Sequence, residues 1–376
     1  MSPVSRGRKK KNKKKPATPD AGLRAGFEDA LEAFEEVADS DDVLDVELLT
    51  SEVLGSFWLV GDPHAATHEI GFPLVSYAAA KQNAAGFALL CALQALSPGD
   101  ELRERARAAA ARLAALGMRE PAWAAALGEV VVEECHHQTD VYGDQSFLLF
   151  LCERGGRRHG LVVETDRYAG VLEAYLTTEH EEILAELAQN RHELLVTGPL
   201  ALPKARRIVE DAMAVNDQVA AQLLEPVADD PVTDARAHLL ARLLAMPPAE
   251  PRPEPRPHDE DVVRRFLDEH GSSGAGYLRE LVEFGEDVDE GEPLRVSPGK
   301  FEFFLDDLLH AQDPDDDALE SLRDVSLAWA GWQGRRQGLS DAAVEHLLAE
   351  VEEIFDDFFA HDEEEAAGEL PVALRR

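Results

Sequence analysis

The spacing of apolar and polar positions changes period twice along the chain. From residue 21, Leu23, Phe27, Leu31 and Phe34 recur on one face over residues 21–37, the pattern of an amphipathic helix. A second helix is predicted over 43–60. Gly and Pro in "GDPHAATHEIGFP" (61–73) predict a loop, and an Ala-rich, largely buried helix follows over 74–96. Ser97 and Pro98 have the chemistry of an N-cap and a first-turn proline, so the next helix starts there and Gly117 ends it.

At Val130 the period becomes two. Four strand-like runs are predicted, over 130–142, 146–153, 160–165 and 171–176, joined by Gly143-Asp144, Gly155-Gly156 and "DRYAG" (166–170). Gly as the first residue of a two-residue loop suits a type II′ hairpin turn. Centred on Gly143-Asp144, that turn sets Cys135 opposite Cys152, His136 opposite Leu151 and His137 opposite Phe150. The two cysteines then meet at a non-hydrogen-bonded position, where side chains lie close. Helical spacing returns at 178, with Thr178 and Glu181 as a capping box, and helices are predicted over 203–224 and 232–245.

Pro247, Pro248, Pro251, Pro253, Pro255 and Pro257 mark an extended linker. Beyond it only helical patterns occur, over about 260–270, 274–284, 298–310, 316–337 and 341–360. In the last, Val344, Leu347, Leu348, Val351, Ile354, Phe355, Phe358 and Phe359 oppose Glu350, Glu352, Glu353, Asp356 and Asp357. The predicted fold class is α+β, mostly helical. A disordered basic arm (1–20) precedes a helical domain (21–245) that holds a four-stranded antiparallel meander (130–176). A Pro-rich linker (246–258), a small all-α C-terminal domain (259–361) and a tail (362–376) follow.

Charge divides this picture in two. The chain has a net charge of -37, yet residues 1–15 hold Arg6, Arg8, Lys9, Lys10, Lys11, Lys13, Lys14 and Lys15 and no acid. Without those eight cations, 29 basic residues face 74 acidic ones, a balance of -45. Such a body repels nucleic acid and favours cationic partners. The arm favours phosphate through counterion release, so non-specific nucleic acid or the ribosome is an expected partner through residues 6–15; folding over the acidic body is the alternative. No aromatic residue interleaves the arm to stack on bases. Three cysteines without a Cys-x-x-Cys argue against a disulfide framework and a zinc ribbon. No apolar run is long enough to span a bilayer and no apolar segment follows the arm as in a secretory signal, so the expected location is cytoplasmic, with no membrane partner.

The densest candidate chemistry is "ECHHQTDVYGDQS" (134–146). His136 and His137 point to opposite faces of a strand and are not a ready metal pair. With Asp140, Tyr142 and Asp144 they are the candidate catalytic residues if the chain is an enzyme. His64 and His68 have helical metal-ligand spacing but lack the Glu beside the first His. "YAAAK" (77–81) matches the Tyr and Lys of short-chain dehydrogenases without the Gly-rich turn that family needs. "DPDDDALESLRD" (313–324) mimics a calcium loop but has Ala318 where the turn needs Gly, and reads better as acids at a helix start. "FGEDVDEGEP" (284–293) reads as a solvated acidic connector. No metal or cofactor is expected.

Three segments, "DVYGDQS" (140–146), "PLRVSPGKFEFFLDDLL" (293–309) and "GRRQGL" (334–339), resemble those of an uncharacterised protein family of GC-rich bacteria with a basic N-terminal arm. The resemblance covers most of the chain from the first helix on. It brings no assigned activity and so implies no catalytic residue. The expectation is a cytosolic binding or adaptor protein. The alternatives are a nucleic-acid- or ribosome-associated factor acting through the arm, and a hydrolase or metal-dependent enzyme with its site at the 134–146 hairpin.

Overall fold

The computed structural model describes residues 21–58, 63–222, 231–252, 254, 260–289, 291–311 and 315–366. It is 65% helical around one antiparallel sheet. The first part of the chain gives α1 (Ala21–Val37), α2 (Val43–Trp58), α3 (Pro63–Ala66), α4 (Phe72–Lys81), α5 (Ala84–Leu96), α6 (Asp100–Ala115) and α7 (Ala124–Leu127). Three expectations change here. The predicted 61–73 loop is helical where described: a π-helical turn, Thr67–Gly71, runs into α4, where Pro73 sits in the first turn and its missing N–H costs no bond. The single helix over 74–96 is broken. Gln82 adopts left-handed backbone (φ 51), and the Asn83 side chain accepts from Gly86 N at 2.9 Å. Helix α6 starts at Asp100, with Gly99 rather than Ser97 at its cap.

Helix α5 is buried almost throughout, from Ala85 to Leu93 and at Leu96. It is apolar on every face, so it forms the axis of a core with Phe27 and Phe34 of α1, Leu54 of α2, Leu74 of α4 and Leu102 and Leu113 of α6.

The sheet contains β1 (Val130–Asp140), β2 (Gln145–Arg154), β3 (Arg157–Asp166), β4 (Gly170–Thr177) and, after α8 (His180–Gln189), β5 (Leu195–Leu200), in the order β4-β3-β2-β1-β5. The sheet thus has five strands, not four. The added strand carries Gly198 and Pro199; an edge strand tolerates Pro because only one side must pair. Helix α8 starts without the predicted capping box, and Thr177 Oγ1 accepts from Glu179 N at 3.0 Å instead.

The first hairpin also differs. Its loop is four residues, 141–144, because the Asp140 carboxylate gathers the N–H groups of Tyr142 (2.7 Å), Gly143 (2.7 Å), Asp144 (3.3 Å) and Gln145 (2.6 Å). The register moves by two: Cys135 faces Phe150, His136 faces Leu149 and His137 faces Leu148. A bulge between Val132 and Glu134 puts Val132 opposite Cys152. The Cys135–Cys152 pair does not form; both are free thiols buried in one cluster.

One sheet face packs on α9 (Leu202–Gln222) and α10 (Pro231–Ala245), joining Leu148, Phe150, Leu161 and Val163 to Val209, Met213, Leu239 and Leu243. On the other, Leu187 of α8 packs over Leu149 and Val162. The Pro-rich segment does not leave the surface at once. Arg206 Nη1 donates to Met246 O (3.1 Å), Arg207 Nε to Glu250 O (2.9 Å) and Glu250 N to Pro203 O (3.0 Å), while Arg252 pairs with Asp211 at 2.8 Å. It is strapped to α9 as far as Arg252.

The remaining elements are α11 (Glu260–His270), α12 (Ala275–Val288), α13 (Pro298–Ala311), α14 (Asp316–Gln337) and α15 (Asp341–Ala366). Phe266, Leu281, Phe301, Trp329, Leu347, Val351 and Phe355 form their common core. Tyr142, from the β1–β2 loop, belongs to that core. At the start of α14, Asp315 accepts from Ala318 N at 2.9 Å, the helix-start role of the acidic run; Asp313 lies outside the described residues.

Candidate functional site

The acidic segment 284–293 is not a solvated connector. Helix α12 runs to Val288, and the next residue, Asp289, is 0% exposed. Its Oδ1 accepts from Arg295 Nη2 (2.9 Å), Arg295 Nε (3.2 Å), Arg167 Nη1 (3.1 Å) and Tyr168 Oη (3.1 Å), and Oδ2 lies 3.0 Å from Lys300 Nζ. Burial alone would raise its pKa, but the charges of Lys300, Arg295 and Arg167 outweigh that and hold the carboxyl below the ordinary aspartate value.

Arg295 reaches across to the β1–β2 loop. Its Nη1 donates to Tyr142 O (2.9 Å) and to Asp144 Oδ1 (2.8 Å), and its Nη2 to Tyr168 Oη. Asp144 Oδ2 takes Gly299 N at 2.9 Å, so a side chain from the sheet supplies the anion at the start of α13. Lys300 Nζ also donates to Pro293 O at 2.7 Å. Gln337 Oε1 accepts from Val296 N at 3.0 Å. The segments 140–146, 293–309 and 334–339 therefore converge on one buried cluster, with Arg167 and Tyr168 of the β3–β4 turn completing it.

The candidate catalytic residues divide. Asp140 closes its own loop. Tyr142 Oη donates to Ala343 O at 2.7 Å, with His346 Nδ1 at 3.3 Å, and burial first, then Asp140, Glu350 and Asp144, push its pKa up to about 12. Asp144 is held by Arg295 and Gly299. His136 faces the α8 side of the sheet, 3.7 Å from Glu134. His137 faces the α9 side, its Nε2 3.0 Å from Ser146 Oγ, with its pKa lowered by burial and by Lys204. Tyr142 and Asp144 thus share a site; the two histidines share neither that site nor each other's. The cations of the arm, Arg6 to Lys15, lie outside the described residues.

A second buried cluster joins α2, β2, β3 and α10. Glu47 is 0% exposed and receives Arg242 in bidentate fashion, Nη1–Oε1 2.6 Å and Nη2–Oε2 3.0 Å, with Arg154 Nη2 at 3.1 Å from Oε1. Arg154 Nη1 also donates to Leu127 O, and Arg242 Nη1 to His238 O at 2.9 Å. His159 Nε2 lies 2.6 Å from Arg242 Nη2. An arginine can only donate, so His159 accepts there and keeps its proton on Nδ1, 3.3 Å from Arg157 O. Burial and the arginine charges push His159 down to about 4 and His238 to about 3.

Sequence reading missed both centres, because each joins segments more than a hundred positions apart in the chain. The available signal was Lys300, one of three lysines beyond the arm, beside Arg295 in a segment already singled out. Among the described residues no three His, Cys, Asp or Glu side chains are grouped to hold a metal ion. His68 lies 3.5 Å from Glu101, and the His64 side chain is outside the described residues. No described helix is long and apolar enough to cross a membrane. Compared with known protein families, curated proteins and solved structures, the chain matches none.

Proposed function

We propose that the chain is a cytoplasmic binding or adaptor protein. Its C-terminal helices act as a second module, locked onto the end of the sheet so that the two present one continuous, acidic surface. The observation that carries this reading is the Asp289 cluster. Tyr142, Asp144, Arg295 and Lys300, the polar groups of the most distinctive segments, are turned onto one another, where they set the position of the module and have little capacity left for a substrate. The charge of the body then favours a partner with a basic face, while the arm favours a polyanion.

The test is capture on the immobilised full chain, with and without residues 1–20, followed by reconstitution from purified components. A stoichiometric complex that survives loss of the arm and weakens with added salt supports the reading; failure of every captured protein to rebind when pure sinks it. RNA binding that vanishes when all eight arm cations are neutralised would move the function to the arm.

One contact favours a second reading, a hydrolase. Ser146 Oγ lies 3.0 Å from His137 Nε2, burial lowers the pKa of that imidazole, and among the described residues no atom comes within 4 Å of a Cβ placed on Gly198, the residue opposite His137. Labelling of Ser146 by a fluorophosphonate, abolished by His137→Ala, is the expected result for an enzyme. An unlabelled native chain removes this reading.

A further inference from the structure

The Glu47 cluster has a charge excess that its own side chains do not balance. Arg154 and Arg242 are 1% and 0% exposed, and among the described residues Glu47 is the one carboxylate either of them meets. The histidines do not supply the missing negative charge, because an imidazole is neutral or cationic, and neither does the Cys152 thiol beside Arg242, whose pKa burial raises. Two guanidinium groups and one carboxylate leave one positive charge enclosed between α2, β2, β3 and α10. The buried hydrogen bonds are also incomplete. Among the described residues, Arg154 Nε and both ring nitrogens of His238, a residue 3% exposed, have no hydrogen-bond partner.

Charge excess and unpaired donors have a common remedy. Water would satisfy the donors and leave the charge, whereas a small anion would satisfy both. We propose that the cluster binds a small inorganic anion of chloride size, held by Arg154 and a ring N–H of His238 and balancing the second guanidinium. A monovalent ion suffices for the excess, and a small one suits side chains that are 0–3% exposed.

The full chain, dialysed into sodium gluconate, is titrated with sodium bromide or chloride at constant ionic strength while thermal unfolding is followed. A saturable rise in Tm, of about 2 °C or more, is expected with either halide, and Arg154→Met should abolish it. Should that variant not fold, the native protein crystallised from bromide gives a second readout: an anomalous peak within hydrogen-bonding distance of Arg154 and His238. A halide effect that persists in Arg154→Met, no halide effect at all, or ordered water alone at the cluster would overturn the proposal.

Discussion

Asp289→Asn keeps the size of the side chain and removes the charge that Arg295, Lys300 and Arg167 share. Breaking one partner out of a buried ionic group leaves the others uncompensated, which costs about 3–5 kcal/mol. Urea unfolding followed by tryptophan fluorescence, with Trp329 inside the helical core, should show the free energy of unfolding fall by that amount; a loss under about 1 kcal/mol would mean that the cluster does not hold the module in place. Gly285 belongs to the same argument. A Cβ there would stand 2.2 Å from Lys300 Nζ and 2.4 Å from Pro293 O. Lysine can move its end, but the Pro293 carbonyl is backbone and is the atom Lys300 bonds. Gly285→Ala should therefore destabilise by about 1–3 kcal/mol in the same assay, the range for overpacking a filled site.

The buried histidines give a dependence on pH with a definite sign. His159 and His238 have folded pKa values of about 4 and about 3, below the ordinary 6.5. The unfolded chain therefore binds more protons than the folded one as pH falls below 6.5, and stability falls with it. Each histidine contributes a slope of up to about 1.4 kcal/mol per pH unit. Glu47 and Asp289 have lowered values, so their contribution is lost only below the ordinary carboxylate range. The window from pH 6.5 to 4.5 belongs to the histidines. Chemical denaturation across it should reveal the slope, and a flat profile would mean that these imidazoles are solvated or charged when folded.

At the scale of elements, local pattern was legible wherever one face of a helix or strand repeats its own chemistry. Helix α1 and the four meander strands follow the apolar spacing closely. Legibility failed where a side chain rather than a periodicity fixes the backbone. Asp140 collects four amides and lengthens the hairpin loop, which shifts every pair of β1 and β2; spacing alone carries no trace of that. Strand β5 depends on the edge of β1 and could not be read from six residues that include Gly and Pro. The sheet's other edge has a comparable dependence. Asn216 of α9 accepts from Val171 N at 2.8 Å and donates to Val171 O at 3.2 Å, standing in for a neighbouring strand. Asn216→Ala should cost about 1–2 kcal/mol, and hydrogen exchange at the Val171 amide should accelerate more than exchange within β2. Equal protection of both amides in the variant would show that the side chain does not cover this edge.

At the scale of the molecule, the sheet is anchored at two ends by chemistry of one kind. Glu47 ties the first helices to β2, β3 and α10; Asp289 ties the last helices to the β1–β2 and β3–β4 turns. Each cluster unites residues more than a hundred positions apart, which is why the candidate site was only half legible. Sequence reading named Tyr142 and Asp144 as candidates and singled out the segment that holds Arg295 and Lys300, but did not show that they would meet. Composition concealed how few charges do this work: most of the acids that dominate the total lie on the surface, while Glu47, Asp144 and Asp289 determine how the parts are assembled.

The insertion of Tyr142 into the helical core, beside the ionic cluster, has a consequence for chain continuity. Shape and charge already specify how the two pieces fit, so the peptide bond between them is dispensable. A chain cleaved between Glu254 and Glu260 should remain whole in solution, and the two fragments, expressed separately and mixed, should co-elute on gel filtration as one particle of native size. Tyr142→Ala combined with Asp289→Asn should make the nicked protein fall apart. Fragments of the native sequence that elute separately would mean that the join is held by the tether alone. If they reassemble, the region becomes a split point at which the protein can be taken apart and rebuilt at will.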